Sequence, residues 1–415
     1  MWTAWIFFLC ALSCPIGAYA QSDSSPQLSM FQLQPLPPAN LLLGAALSPD
    51  GQQVAAAYFA RVSSTYPAGY GLSVRIWNVG VQEAVVSKEL DPSDAPNHAH
   101  GSCYPSPNTR CWNGFVQYCN NGSGILLADP HGVLYYLNPQ TLEVLQAMAT
   151  NIGLDIDSQR ISCAANSSRA VFAVYGGRYR NGLVRVYDLS SGTILQEWDM
   201  TKGPFPFGDV AISPSGNEIA VSHVPTNFTG VAAKAVQNLE LFDVNTGKAI
   251  LQVKTGHLPG RISFVGEGRV ASGDTTVTQP FYGLPRIKLW DASDGKLIRE
   301  FGDPKVGARR FVGASGDGNV IVGYIPKETF RTAAFGYAWN NTLQQRFRLW
   351  DSRTGQTIAT SPPFLPILRI DPLGIDPSLE ASANGRAVLV FWKSPWKTQP
   401  IYVFSTTPAL RPQPH

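Results

Sequence analysis

One phrase recurs along this chain: an alternating apolar strand that ends in an aromatic, then Asp, a short turn and Gly. It reads Arg286-Ile-Lys-Leu-Trp290-Asp291-Ala-Ser-Asp-Gly295, and again Phe347-Arg-Leu-Trp350-Asp351-Ser-Arg-Thr-Gly355. Fainter copies are Val184-Arg-Val-Tyr187-Asp188-Leu-Ser-Ser-Gly192 and Leu239-Glu-Leu-Phe242-Asp243-Val-Asn-Thr-Gly247. Self-similarity at a spacing of a few tens of residues means that one small unit is stacked many times, because no single unit can bury its own apolar face.

Each copy has a local logic. Ile287 and Leu289 alternate with Arg286 and Lys288, the period of two that marks a strand with one buried face. The Asp-x-x-x-Gly that follows predicts a hairpin, with the Asp side chain capping the turn and Gly supplying positive φ. Upstream lies a matching turn, Ser48-Pro-Asp-Gly51 in the first copy and Ser213-Pro-Ser-Gly216 in the fourth. Four short antiparallel strands joined by tight turns form one blade of a β-propeller. Upstream turns fall at 48–51, 120–124, 166–169, 213–216, 266–268, 316–318 and 384–385. Third-strand aromatics fall at Trp77, Tyr136, Tyr187, Phe242, Trp290, Trp350 and Phe404. Both series predict seven blades. The aromatic spacing averages about 55 residues, above the 40–45 usual for such blades, so the excess belongs to loops.

The seventh unit lacks a fourth strand after Ile401-Tyr-Val-Phe404, while residues 28–34 form a spare strand ahead of the first blade. The expected fold is therefore all-β: a seven-bladed propeller of four-stranded antiparallel blades, closed by the N-terminal strand completing the last blade. Closure removes the exposed edges of an open sheet. One domain over 28–408 absorbs the length, after a 21–27 linker and before a Pro-rich, disordered 409–415 tail.

On these motifs the chain resembles the WD-repeat propellers and their YVTN-type relatives across roughly residues 28–408. The fifth copy matches best: Gly256-His257 precedes its first strand, Ser272 ends its second and Trp290-Asp291 ends its third. The resemblance implies a hydrogen-bonded structural network of His257, Ser272 and Trp290, with Asp291 at the turn. Trp350-Asp351 is the other literal Trp-Asp pair at the end of a third strand. What the resemblance implies is a scaffold, and function does not follow from a scaffold.

Net charge is +3 with only 15% charged residues. That balance argues against nucleic acid as a partner, which calls for a basic stripe. No apolar run beyond the leader is long enough for a membrane span. Residues 1–20 read as a secretory signal peptide, with an apolar core from Trp5 to Ile16 and small residues in Ala18-Tyr-Ala20. The expected location is secreted or periplasmic, and lipid anchoring at Cys14 is not expected. Cleavage would leave Cys103, Cys111, Cys119 and Cys163, an even number that suggests disulfides. Cys103–Cys111 would staple a Pro-rich insertion. Cys119 and Cys163 fall in the first strands of neighbouring blades, where they either pair or serve as small buried residues. Asn121, Asn166, Asn227 and Asn340 head glycosylation triplets, whose use depends on the host.

Extra length concentrates between second and third strands, at 59–71, 176–182, 224–237, 275–285 and 325–345, and between blades at 88–110. All of these join strand ends on one face, and loops on a rigid frame are where binding usually resides. Their Arg and aromatic side chains suit both interface anchoring and stacking on sugar rings. The candidate binding residues are Arg61, Tyr70, Arg178, Tyr179, Phe281, Tyr337, Trp339 and Trp396. Asp91, Asp94, His98 and His100 have metal-ligand chemistry, but such loops are more often simply polar, and no metal or cofactor is expected. No hydrolase elbow, zincin helix or P-loop motif occurs. His223, ending a second strand beside a long loop, is the one histidine suited to acid–base work.

Three functional classes fit. The leading one is a non-catalytic, monomeric binding scaffold for a protein, peptide or glycan. The second is a propeller enzyme, a lactonase or a quinone-dependent dehydrogenase, the latter resembling Tyr187-Asp188…Gly192…Trp198. The third is a structural part of a cell-envelope assembly.

Overall fold

The computed structural model describes residues 28–33, 40–61, 70–90, 115–129, 132–150, 158–176, 179–200, 207–223, 238–255, 259–274, 286–303, 310–326, 345–362, 378–391 and 401–406. The first strand, β1 (Ser29–Leu33), belongs to the last blade. Blade 1 is β2 (Asn40–Leu47), β3 (Gln53–Arg61), β4 (Tyr70–Asn78) and β5 (Ala84–Leu90). Blade 2 is β6 (Phe115–Cys119), β7 (Gly124–Ala128), β8 (Val133–Leu137) and β9 (Val144–Ala149). Blade 3 is β10 (Ser158–Cys163), β11 (Arg169–Gly176), β12 (Tyr179–Asp188) and β13 (Thr193–Asp199). Blade 4 is β14 (Phe207–Ile212), β15 (Glu218–His223), β16 (Asn238–Asp243) and β17 (Ala249–Lys254). Blade 5 is β18 (Pro259–Phe264), β19 (Arg269–Asp274), β20 (Ile287–Asp291) and β21 (Leu297–Phe301). Blade 6 is β22 (Arg310–Ala314), β23 (Val320–Pro326), β24 (Gln345–Asp351) and β25 (Thr357–Thr360). Blade 7 is β26 (Ser378–Ala381), β27 (Ala387–Phe391), β28 (Ile401–Ser405) and β1. The chain is a seven-bladed β-propeller, and the expected ring closure by the N-terminal strand is present.

The closing strand runs antiparallel to β28 from Ser29↔Ser405 to Leu33↔Ile401. It is tied to both neighbouring blades. The backbone N–H of Leu28 donates to Thr360 O (3.2 Å) in blade 6, and Gln82 Nε2 of blade 1 donates to Gln32 O (2.9 Å). Leu28 and Leu33 are buried.

The core lies between blades. Strands such as β7 (GILLA) and β27 (AVLVF) are buried at every residue, because each second strand has a blade packed on both faces. The repeated turns behave as their residues require. Asp291 Oδ1 accepts Ser293 N at 2.8 Å and Asp351 Oδ1 accepts Thr354 N at 2.7 Å. Gly295 and Gly355 close those turns at φ 73° and 77°. In blade 5 the Trp290 indole Nε1 donates to Ser272 Oγ at 2.9 Å, and both residues are buried. His257 lies outside the described residues.

A regularity runs round the circumference. In blades 1 to 6 the ladder between third and fourth strands skips one fourth-strand residue: Val85, Leu145, Leu195, Ile250, Ile298 and Ile358. Each is an exposed aliphatic at the bulge. Blade 7 has no such skip, and Met30, paired with Phe404, is its exposed apolar residue.

A second regularity links blades. In blades 3, 5 and 6, a cation two residues before the third-strand aromatic reaches back to the exit of the preceding blade. Arg185 Nη1 donates to Thr150 O, Lys288 Nζ donates to Thr255 O (3.4 Å), and Arg348 Nη1 meets Asp303 Oδ2 (3.2 Å). Blade 4 carries Glu240 at this position instead.

Cys119 and Cys163 form a disulfide between the ends of β6 and β10, the inner strands of blades 2 and 3. Of the two alternatives open from the sequence, the bridge is the one adopted. Cys103 and Cys111 lie outside the described residues, as does the Asp91, Asp94, His98 and His100 cluster.

Candidate binding face

The two faces of the ring differ in how strands are joined. On one face, where first strands turn into second and third into fourth, every connection is four to six residues. On the other, strand bounds leave 62–69, 224–237, 275–286, 327–344 and 392–400 between second and third strands, and 91–114 between blades 1 and 2. Blade 3 departs from the sequence expectation: Gly176 pairs with Tyr179, so residues 177–178 are the whole connection there. The strand passes through Gly182, whose φ of 113° bends the backbone in a way that other residues resist. In blade 1 the hairpin arms likewise extend, with Arg61 paired to Tyr70. Arg61, Tyr70 and Tyr179 therefore stand at strand ends on the long-connection face. Arg178, Phe281, Tyr337, Trp339 and Trp396 lie outside the described residues.

His223 ends β15 on this face and is buried. Its Nε2 lies 3.1 Å from Glu240 Oε2, and Gln252 Nε2 donates to Glu240 Oε1 at 2.7 Å. The hydrogen bond to His223 holds the Glu240 carboxyl below its ordinary range, against the opposing effect of burial. This row stands where blades 3, 5 and 6 carry the cationic latch, and the pairing with His223 and Gln252 explains why a carboxylate is tolerated at this half-buried position.

The first strands of successive blades pack against one another round the axis. In blades 3, 4 and 5 the residue four before the inner turn is Arg160, Asp209 and Arg261, counted from the turn-closing N–H of Ala164, Ser213 and Val265. Asp209 Oδ1 is 3.6 Å from Arg160 Nε, and Oδ2 accepts the backbone N–H of Ile262 in the next blade at 2.9 Å. Burial pushes the Asp209 carboxyl up, opposed by the charges of Arg160 and Arg261. In blade 7, Glu380 stands two residues before Ser382, one strand layer deeper.

Two interactions skip a blade. Arg261 of blade 5 acts on Glu380 of blade 7, and Glu380 acts on Tyr118 of blade 2. Both are electrostatic and relate side chains of blades 5, 7 and 2. Burial pushes the Glu380 carboxyl up to about 8, and Arg261 pulls only partly against it. Tyr118 is buried, and its hydroxyl has no hydrogen-bond partner among the described residues. Sequence reading missed this cluster, although a charged residue at a fixed distance before an inner turn was a usable signal.

The raised Glu380 pKa has a stability consequence. The folded chain holds this proton more tightly than the unfolded chain does, so its contribution is complete below about 4.5 and is lost as pH rises to about 8. Glu380→Gln is expected to leave the melting temperature at pH 4 nearly unchanged and to raise it at pH 8–9. The ceiling is about 1.4 kcal/mol per pH unit across that window. Differential scanning calorimetry at the two pH values checks this, and a variant destabilised at both would contradict it.

Among the described residues no group of three or more His, Cys, Asp or Glu is placed to hold a metal ion, and no helix is long and apolar enough to cross a membrane. No protein-family model and no curated protein matches the chain.

Proposed function

We propose that this propeller is a secreted or periplasmic, non-catalytic scaffold that binds a protein, peptide or glycan through its long-connection face. The observation that carries the reading is the asymmetry of the ring: connections of four to six residues on one face against stretches such as 224–237 and 327–344 on the other. A fold needs only short turns to close its blades, so length kept on one face points to recognition there. The Cys119–Cys163 disulfide is compatible with an oxidising compartment, in keeping with a leader at 1–20.

Arg61, Tyr70, Arg178, Tyr179, Phe281, Tyr337, Trp339 and Trp396 are the proposed contacts. Glycan and peptide arrays would supply the ligand. The double variant Arg178→Ala/Tyr179→Ala is expected to weaken its capture by about tenfold or more, the scale of one interface anchor, with an unchanged melting temperature. Undiminished capture by this variant and by Tyr337→Ala/Trp339→Ala would overturn the reading. Uptake of a quinone, or calcium-dependent lactone turnover, would replace it with an enzyme.

A further inference from the structure

We propose that Asn121 and Asn166 carry N-linked glycans, which cover the middle of the short-connection face. The inference goes beyond the loop-face reading and rests only on its secretion part, since the enzyme that attaches such glycans acts on exported chains.

The two asparagines are singled out by what their side chains do. Turns on the short-connection face use Asn repeatedly, and a turn Asn ordinarily engages its amide with nearby backbone or side chains. Asn138 Oδ1 accepts the N–H of Gln140 at 2.8 Å, Asn384 Nδ2 donates to Asp50 O at 2.7 Å, and Asn319 Nδ2 donates to Asp317 Oδ2 at 2.9 Å. Asn78 accepts from Gln53, and Asn217 and Asn245 both accept from Arg169. Asn121 and Asn166 differ. Both are exposed, and neither side chain makes a hydrogen bond among the described residues. Both also head the acceptor triplet, in Asn121-Gly-Ser123 and Asn166-Ser-Ser168. Asn120, whose side chain is likewise unbonded, has Gly122 where the triplet needs Ser or Thr. On this face, then, an acceptor triplet occurs only where the amide is free to take a sugar without giving up a hydrogen bond. Asn227 and Asn340 lie outside the described residues and carry no part of the inference.

The backbones of the two asparagines are fixed where the side chains are not. The N–H of Asn121 donates to Ala165 O of blade 3 (2.6 Å), and that of Asn166 to Pro214 O of blade 4 (2.8 Å). Ala165 stands near the axis: a Cβ added at Gly316 of blade 6 would lie 3.6 Å from the Ala165 Cβ, so inner turns from opposite sides of the ring meet there. Glycans at 121 and 166 spread over this closed surface of short turns, where a bulky, solubilising group obstructs no opening. The donor is a lipid-linked diphospho-oligosaccharide. The Asn amide nitrogen bonds to the anomeric carbon of its first sugar, the C–O bond to the diphosphate breaks, and the lipid diphosphate leaves with the proton that the amide gives up.

The test uses the full chain, made with its leader in the cells it comes from, and reads intact glycopeptides by mass spectrometry. Most secreted copies are expected to carry a glycan at Asn121 and another at Asn166. Asn121→Gln, Asn166→Gln and Ser123→Ala should each remove one glycan from the total mass, the last with Asn121 still in place. Secreted protein that is bare at either asparagine overturns the proposal and leaves the secretion reading standing, as does a glycan at Asn121 that survives Ser123→Ala. Protein that is bare and retained inside the cell overturns the proposal and the secretion reading together. The wild-type glycopeptides decide the matter even if a variant fails to fold.

Discussion

A chain shortened to begin at residue 34 is expected to lose its cooperative melt under conditions where the full chain is folded. Without β1, blade 7 keeps three strands, and its third, β28, loses its partners from Ser29 to Leu33. Two buried leucines, Leu28 and Leu33, also lose their packing. Deleting one buried leucine side chain costs about 2–5 kcal/mol, so the pair alone represents about 4–10 kcal/mol. Total stabilities are on the order of 5–15 kcal/mol, and the loss is therefore large enough to unfold the ring. Leu33→Ala provides the graded version, with about 2–5 kcal/mol expected from urea denaturation. Melting of the shortened chain within a few degrees of the intact one would show that blade 7 stands without its N-terminal strand.

The Cys119→Ala/Cys163→Ala variant is expected to be the next most affected. The bridge closes a loop with a sequence separation of 44. The chain-entropy relation gives about 4 kcal/mol for a loop of that size. The cysteines sit at the ends of adjacent inner strands, so the variant also frees blade 2 from blade 3 at the axis. Wild-type protein in reductant should match the double variant in its denaturation midpoint. A loss under about 1 kcal/mol in both would mean that the two strands hold their spacing by packing alone.

The seven blades were legible in the sequence because their turns are chemically explicit. Asp291 and Asp351 each accept backbone N–H groups two or three residues on, and Gly295 and Gly355 take the positive φ that few other residues tolerate. Such signals are local, and local signals survive in a one-dimensional reading. The axial cluster is a different case. Alternation identifies which residues of β10, β14, β18 and β26 share a face, but not that four strands separated by long stretches of chain meet at one axis. Register relative to the inner turns was needed to bring Arg160, Asp209 and Arg261 to one level. The bulges were half visible: Thr193-Ile-Leu-Gln, Ala249-Ile-Leu-Gln and Leu297-Ile-Arg-Glu each break the period of two with adjacent apolar residues, the expected trace of one extra residue in a strand. The extension of β12 through Gly182 was missed because a glycine that lets a strand bend reads, in sequence, like one that ends it.

The bulged outer strands bear on how copies of this molecule can meet. A strand approaching side-on must match donors and acceptors residue for residue, and an inserted residue throws that match out of phase and twists the edge away. Six of the seven blades carry such an insertion, each marked by an aliphatic side chain turned to solvent. The seventh rim, β1, keeps an unbroken ladder, but its Gln32 carbonyl is already taken by Gln82. The perimeter is thus poorly suited to templating sheet growth from one ring to the next, and crowded solutions of the folded protein are left without a ready route to fibrils.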